Sequence, residues 1–333
     1  MKKIIPLILI LLLTLSLVTG CGTSKESGAK VQSGITAKEI RVATQPIPHF
    51  APIFVAKQKG WLEEDLKKVG VTIKWTSFNA GPPMNESFAA GQQDIGFMGD
   101  SPAIIAKAAG QNTRIVGLST VGPKGLALVV AKESTLNSAK DLKGKKIGVV
   151  KGSYAHHLLF LVLKNNGLTT DDIQIVNLTL ADIGTVLAKG DIDAGAIWEP
   201  LITKLDDKGE ARVLIDGTGI KKGILVIGAT DDFATKNPEL VKIFLKAYQR
   251  GNEFIKANPQ EAANLIVDDV KLSPEQLAKV LVKFDFNPSL NANDIEELKA
   301  SEEFMRNVGI TKTKVDVDAF VDTGYLRGAG IQN

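Results

Sequence analysis

The residues able to do chemistry are few, and their placement is selective. The 333 residues contain one cysteine, Cys21, and three histidines, His49, His156 and His157. A lone cysteine excludes an intrachain disulfide, a CxxC pair and a Cys-rich zinc site. His156 and His157 are neighbours on an expected helix and point about 100° apart, a poor chelating pair. No metal and no cofactor is therefore expected. Small, hydroxyl and amide residues gather instead at five places where a short apolar run gives way to an amphipathic one. These are Gln45 to Phe50, Gly81-Pro82-Pro83, Gly99-Asp100-Ser101-Pro102, Lys151-Gly152-Ser153-Tyr154-Ala155-His156 and Trp198-Glu199-Pro200. None carries arginine, and Lys151 is the one basic residue among them. An anion held there depends on N–H and O–H donors, which a helix N-terminus supplies together with the positive end of its dipole. Ser101 and Ser153 either cap their helices or donate to a ligand. Asp100 repels an anion, but it can accept from an amine or orient a neighbouring donor.

The elements that must position these junctions follow from the hydropathy pattern. Short apolar runs alternate with amphipathic stretches, as in βαβ units of an α/β fold. Strands are expected at 40–43, 71–75, 95–97, 115–121, 126–131, 145–150, 173–178, 194–197, 212–215 and 224–227. Helices are expected at 51–59, 82–90, 101–109, 154–166, 183–189 and 199–208. From Pro238 onward the chain is expected to be mostly helical, at 238–257, 259–267, 274–282 and 294–308. Gly-rich junctions at 122–125 and 217–223 are the expected hinge crossings. They divide the body into lobe 1 (37–122 and 224–333) and lobe 2 (123–223), of ordinary domain size. A cleft between two such lobes, at the carboxyl ends of the strands, is where a small ligand is expected.

The N-terminus bears on compartment. Lys2 and Lys3 precede an almost unbroken apolar run from Ile4 to Val18, shorter than a membrane span and fitting the core of a secretory signal. The run ends in Val18-Thr19-Gly20-Cys21, which resembles the cleavage site of a bacterial lipoprotein signal. Residues 1–20 are thus expected to be a signal peptide, Cys21 the acylated residue and 21–36 a Gly/Ser/Lys-rich tether. The expected location is extracytoplasmic, lipid-anchored to the cell membrane. The formal charge of +3 becomes +1 without Lys2 and Lys3, and no basic stripe appears, so nucleic acid is not an expected partner.

Phe78-Asn79-Ala80-Gly81-Pro82-Pro83-Met84, Ala90-Gly91-Gln92-Gln93-Asp94-Ile95-Gly96, Gly99-Asp100-Ser101-Pro102, Lys151 to His156 and Asp193 to Pro200 together resemble the aliphatic-sulfonate-binding proteins of ABC importers. The wider group includes taurine-, nitrate- and thiamine-precursor-binding relatives. The resemblance implies a type II periplasmic-binding-protein fold, two α/β lobes with two hinge crossings and a cleft that closes on a sulfonate. It implies a monomer that delivers a small anion to an ABC permease. Gly99, Asp100 and Ser101 on one lobe, and Gly152, Ser153 and His156 on the other, would surround the sulfonate. Trp198 and Glu199 match a Trp-Asp-Pro segment of the family; Trp198 either walls the cleft or belongs to the core. The chain departs from the pattern at Gln45 to Pro52, which is rich in proline and apolar residues. There Gln45, His49 and Phe50 are candidate contacts for the organic part of a ligand, and His49 is equally suited to capping. It departs again at Tyr154, where the family often has a small or acidic residue. Nitrate, bicarbonate and a thiamine-type pyrimidine remain alternative ligands. An enzyme on the same fold is the remote alternative, because such relatives need a cysteine that this body lacks.

Overall fold

The computed structural model describes residues 34–79 and 81–332. The expected signal peptide, Cys21 and all of the expected tether before residue 34 lie outside the described residues. Ten strands form two five-stranded sheets. The first comprises β1 (Glu39–Thr44), β2 (Thr72–Ser77), β3 (Ile95–Gly99), β4 (Thr113–Val121) and β10 (Ile224–Thr230). The second comprises β5 (Leu126–Ala131), β6 (Lys146–Val149), β7 (Gln174–Asn177), β8 (Ala194–Trp198) and β9 (Ala211–Asp216). Their orders are β2-β1-β3-β10-β4 and β7-β6-β8-β5-β9. In each, three parallel strands are followed by one strand, β10 or β5, that runs antiparallel to both neighbours. The sheets therefore repeat one pattern, and each antiparallel strand enters from the other lobe through a crossing.

Fifteen α-helices and four short 3-10 turns complete the described chain. Around the first sheet lie α1 (Ala51–Gln58), α2 (Trp61–Lys68), α3 (Gly81–Ala89) and α4 (Asp100–Ala108). The second carries α5 (Tyr154–Asn165), α6 (Leu180–Ala188) and α7 (Leu201–Asp207). After β10 come α8 (Asp231–Lys236), α9 (Pro238–Ala257), α10 (Pro259–Leu265), α11 (Val267–Val270), α12 (Pro274–Leu281), α13 (Ala292–Asn307), α14 (Val317–Phe320) and α15 (Gly324–Gly328). Proline at the first position of α9, α10 and α12 costs no hydrogen bond there and presets the backbone. The central strands are near-continuous apolar runs, LALVVA in β5 and ILVIGAT in β10, because helices cover both faces. Phe50, Phe97, Phe244 and Tyr248 pack as one aromatic group inside the first lobe.

The two crossings run side by side. The Gly122 N–H donates to the Lys222 carbonyl at 3.1 Å, and the Gly217 N–H to that of Pro123 at 2.8 Å. Gly223 has φ +65°, and a Cβ there would come within 2.6 Å of the Gly122 carbonyl, so this approach requires glycine. A third segment joins them: Asp285 exchanges backbone hydrogen bonds with Val121, each 2.8 Å, and the Phe284 ring lies where side chains at Gly122 and Gly125 would be.

At the opposite end of β1 the chain is clamped. The buried Asn237 amide oxygen accepts from the N–H groups of Thr36 at 2.7 Å and Ala37 at 2.8 Å.

Candidate functional site

One cavity is lined by residues that follow β1, β2 and β3 in the first lobe and β6, β7 and β8 in the second. Strand carboxyl ends from both sheets thus converge on it, the place where open α/β sheets present ligand-binding loops. Among the sequence-predicted residues, Gln45, Gly99, Gly152, Ser153, Tyr154 and Trp198 line this cleft. Trp198 is half-buried on the wall, its ring centroid 5.4 Å from that of Tyr154.

The second lobe offers the better donor set. Ser153 caps α5 by accepting the His156 N–H at 3.1 Å, which leaves its own proton free to donate. The N–H groups of Tyr154 and Ala155, in the first turn, have no partner within the helix. Capping and ligand donation are therefore compatible in Ser153. The Gly152 N–H is turned onto His156 Nδ1 at 3.3 Å, with Gly152 at φ +82°. His156 is buried edge-on to Phe304, 5.4 Å between centroids, and burial together with Lys151 lowers its pKa to about 4.

The first lobe differs. Asp100 and Ser101 are fully buried and face away from the cleft. Asp100 Oδ1 accepts the N–H and hydroxyl of Ser101 at 2.6 and 3.1 Å. Its Oδ2 accepts from Lys221 Nζ at 2.8 Å and Ser301 Oγ at 2.6 Å. Lys221 sits on the second crossing, also fully buried, and donates further to Glu297 at 3.1 Å. Burial alone would raise the Asp100 carboxyl, but Lys221 and the hydrogen bonds outweigh it and hold the carboxyl below its usual range. Burial likewise disfavours the Lys221 ammonium, and Asp100 with Glu297 reverses this, holding its pKa above the usual value. His157 stacks on Phe304 at 4.3 Å and lies 3.3 Å from Ser301 Oγ. Its pKa falls to about 3, through burial and then Lys221.

Six of the candidate contact residues are buried and engaged within the protein and do not line this cavity. Phe50 packs on Phe97 in the core, because the turn at 48–50 rotates its ring inward. Asp100 and Ser101 are engaged by each other and by Lys221. His156 serves the Gly152 backbone. Glu199 accepts from the Thr203 N–H at 3.1 Å and hydroxyl at 3.0 Å, and pairs with Lys283 across the lobes. His49 is 1 % exposed beneath Tyr154, and burial lowers its pKa to about 3.

Sequence reasoning missed Asn79, Asn177 and Thr179 on the cleft wall. It also missed Lys221 and Lys283, whose partners are distant in sequence. Adjacent lysines within an otherwise glycine-rich crossing were the available signal for Lys221.

The model of the NMT1/THI5-like family matches residues 47–262. A Bacillus subtilis protein assigned as an aliphatic sulfonates-binding protein is 30 % identical over 326 residues, 97 % of this chain and 96 % of that one. The taurine-binding periplasmic protein of Escherichia coli is 32 % identical over 197 residues, 58 % of this chain and 60 % of the other. Among solved structures, the alkanesulfonate-binding protein SsuA from Xanthomonas axonopodis pv. citri bound to MOPS is 28 % identical. It superposes with a TM-score of 0.79, over 86 % of this chain and 99 % of that one. The two-lobe architecture is that of the type II periplasmic binding proteins.

Proposed function

The chain belongs to the NMT1/THI5-like family, and from that premise we propose that it captures an aliphatic sulfonate or taurine-like anion for an ABC importer. It works outside the cytoplasm as a binding protein, not as an enzyme. The observation that carries this reading is the N-terminus of α5, opening on a cleft shared by both sheets with Ser153 free to donate. A sulfonate is permanently anionic and has three acceptor oxygens. It suits a cradle of N–H and O–H donors at α5; Arg41, which also lines the cavity, is paired with Asp94. Trp198 and the apolar residues Ile47, Pro102 and Ile105 of the cleft wall suit the organic group.

Binding of the anion to α5 and of the organic group to the facing lobe favours the closed arrangement by its differential affinity for it. The permease then meets the closed face. Acylation of Cys21 would keep the protein beside that permease, the rest of residues 21–36 acting as tether. The catalytic relatives of the fold do not favour an enzyme here, because the chain's one cysteine stands at position 21.

The test is a thermal-shift and calorimetric panel of alkanesulfonates, taurine, an aromatic sulfonate, nitrate, bicarbonate and a thiamine-type pyrimidine. A true ligand at about a thousand times its Kd stabilises by roughly 4 kcal/mol, a shift of several degrees. A response to non-sulfonates alone would overturn the ligand assignment.

A further inference from the structure

Tyr154 rises from the first turn of α5 in the second lobe, yet its ring ends in the first. Its hydroxyl lies 3.3 Å from His49 Nε2, and the two rings meet edge-on at 6.3 Å and 89°. Gly99 lies beside it on the first lobe, where a Cβ would meet the Tyr154 ring at 3.9 Å, in ordinary van der Waals contact. Trp198 supports it from the side at 5.4 Å. Behind Tyr154, His49 packs on Phe284 at 4.4 Å, and Phe284 occupies the notch left by Gly122 and Gly125 at the hinge. Tyr154, His49 and Phe284 therefore form a column of rings that closes the cleft toward the crossings. Tyr154 is its cleft-facing end, 5 % exposed. His49 Nδ1, buried within the column, has no hydrogen-bond partner.

We propose that Tyr154 is a specificity determinant, the depth stop of the ligand site. The anionic group binds at the α5 N-terminus, the organic group ends against the Tyr154 ring, and the space beneath that ring is closed to ligand. This inference rests on the sulfonate reading for its substrate class, but the plug itself does not.

The experiment compares wild type with Tyr154→Ser and Tyr154→Phe. Calorimetry against ethane-, butane-, hexane- and octanesulfonate gives a chain-length profile for each. Tyr154→Ser should extend the profile, gaining about tenfold for the longer chains relative to ethanesulfonate, as two further buried methylenes would give. Tyr154→Phe, which keeps the ring and loses the His49 contact, should leave the profile as in wild type. In parallel, modification of His49 by diethylpyrocarbonate, mapped by mass spectrometry, should be slow in wild type and Tyr154→Phe and fast in Tyr154→Ser. An unchanged profile in a folded Tyr154→Ser protein overturns the depth stop. So does equal His49 reactivity in all three proteins. Failure of wild type to bind any sulfonate would sink the proposed function instead, and the His49 reactivity would still decide on the plug.

Discussion

Two lobes built on the same strand order bring different things to the cleft. In the first, α3 begins Gly81-Pro82-Pro83 and α4 begins Asp100-Ser101-Pro102. Proline removes N–H donors from both first turns, and Asp100 takes the Ser101 N–H and hydroxyl for itself. In the second lobe, α5 begins Tyr154-Ala155-His156 and α6 begins Leu180-Ala181-Asp182, with no proline in either first turn. Both are capped by a hydroxyl residue. A repeated fold therefore does not imply a repeated role. In the proposed mode of binding one lobe supplies the donors, and the other supplies walls and a buried charge network that joins Asp100 to Lys221 on the second crossing.

The strongest way to break this contrast is to attack the charge network. Lys221→Met leaves Asp100 and Glu297 facing each other without their cation. The expected loss is about 3–5 kcal/mol of stability, read by urea or thermal unfolding. A near-neutral result would mean that the carboxylates find other partners.

Next comes the serine pair. Ser153→Ala removes a charge-assisted donor to the anion and should weaken sulfonate binding by roughly 10- to 100-fold in calorimetry. Ser101→Ala should change affinity less than about twofold, because its hydroxyl is committed to Asp100. Equal losses at both positions would erase the asymmetry.

Acid tests both lobes, through His49 in the first, its pKa lowered to about 3, and through two histidines in the second. His156 and His157 on α5 have pKa values lowered to about 4 and about 3. The unfolded chain takes up these protons first, near pH 6.5. Stability is therefore full above that pH and declines on acidification until the folded-state values are reached. The slope is at most about 1.4 kcal/mol per pH unit for each histidine. His157→Asn should flatten the decline in melting temperature between pH 6.5 and 4; an unchanged slope would place the effect elsewhere.

The smallest expected effect is at the seam. A double-mutant cycle on Glu199→Gln and Lys283→Met should give a coupling of about 1–2 kcal/mol in unfolding. A coupling near zero would mean that Thr203 alone satisfies the Glu199 carboxylate.

The sequence made the positions of the junctions legible, and much less of what their side chains do. Alternation of apolar and amphipathic runs marks where strands end, and that places Gly99, Gly152 and Trp198 at the cleft. The helix 238–257 was readable from Pro238 and its apolar period. Orientation was not readable, because it is set by partners far along the chain. Asp100 turns inward for Lys221 and Ser301, and Glu199 for Lys283, 84 positions away. Phe50 and His49 are adjacent, yet one enters the core and the other the hinge column. Local spacing carries no trace of that choice. The short helices α2 and α8 were also missed, since neither offers a long enough apolar stripe to be told from a loop.

The clamp of Asn237 on Thr36 and Ala37 has a mechanical consequence. Any pull arriving along the preceding chain is delivered to the amino end of β1, and from there passes along the ladders of the first sheet. Traction from the N-terminal side therefore enters through the first lobe, and reaches the crossings only by way of β10 and β4.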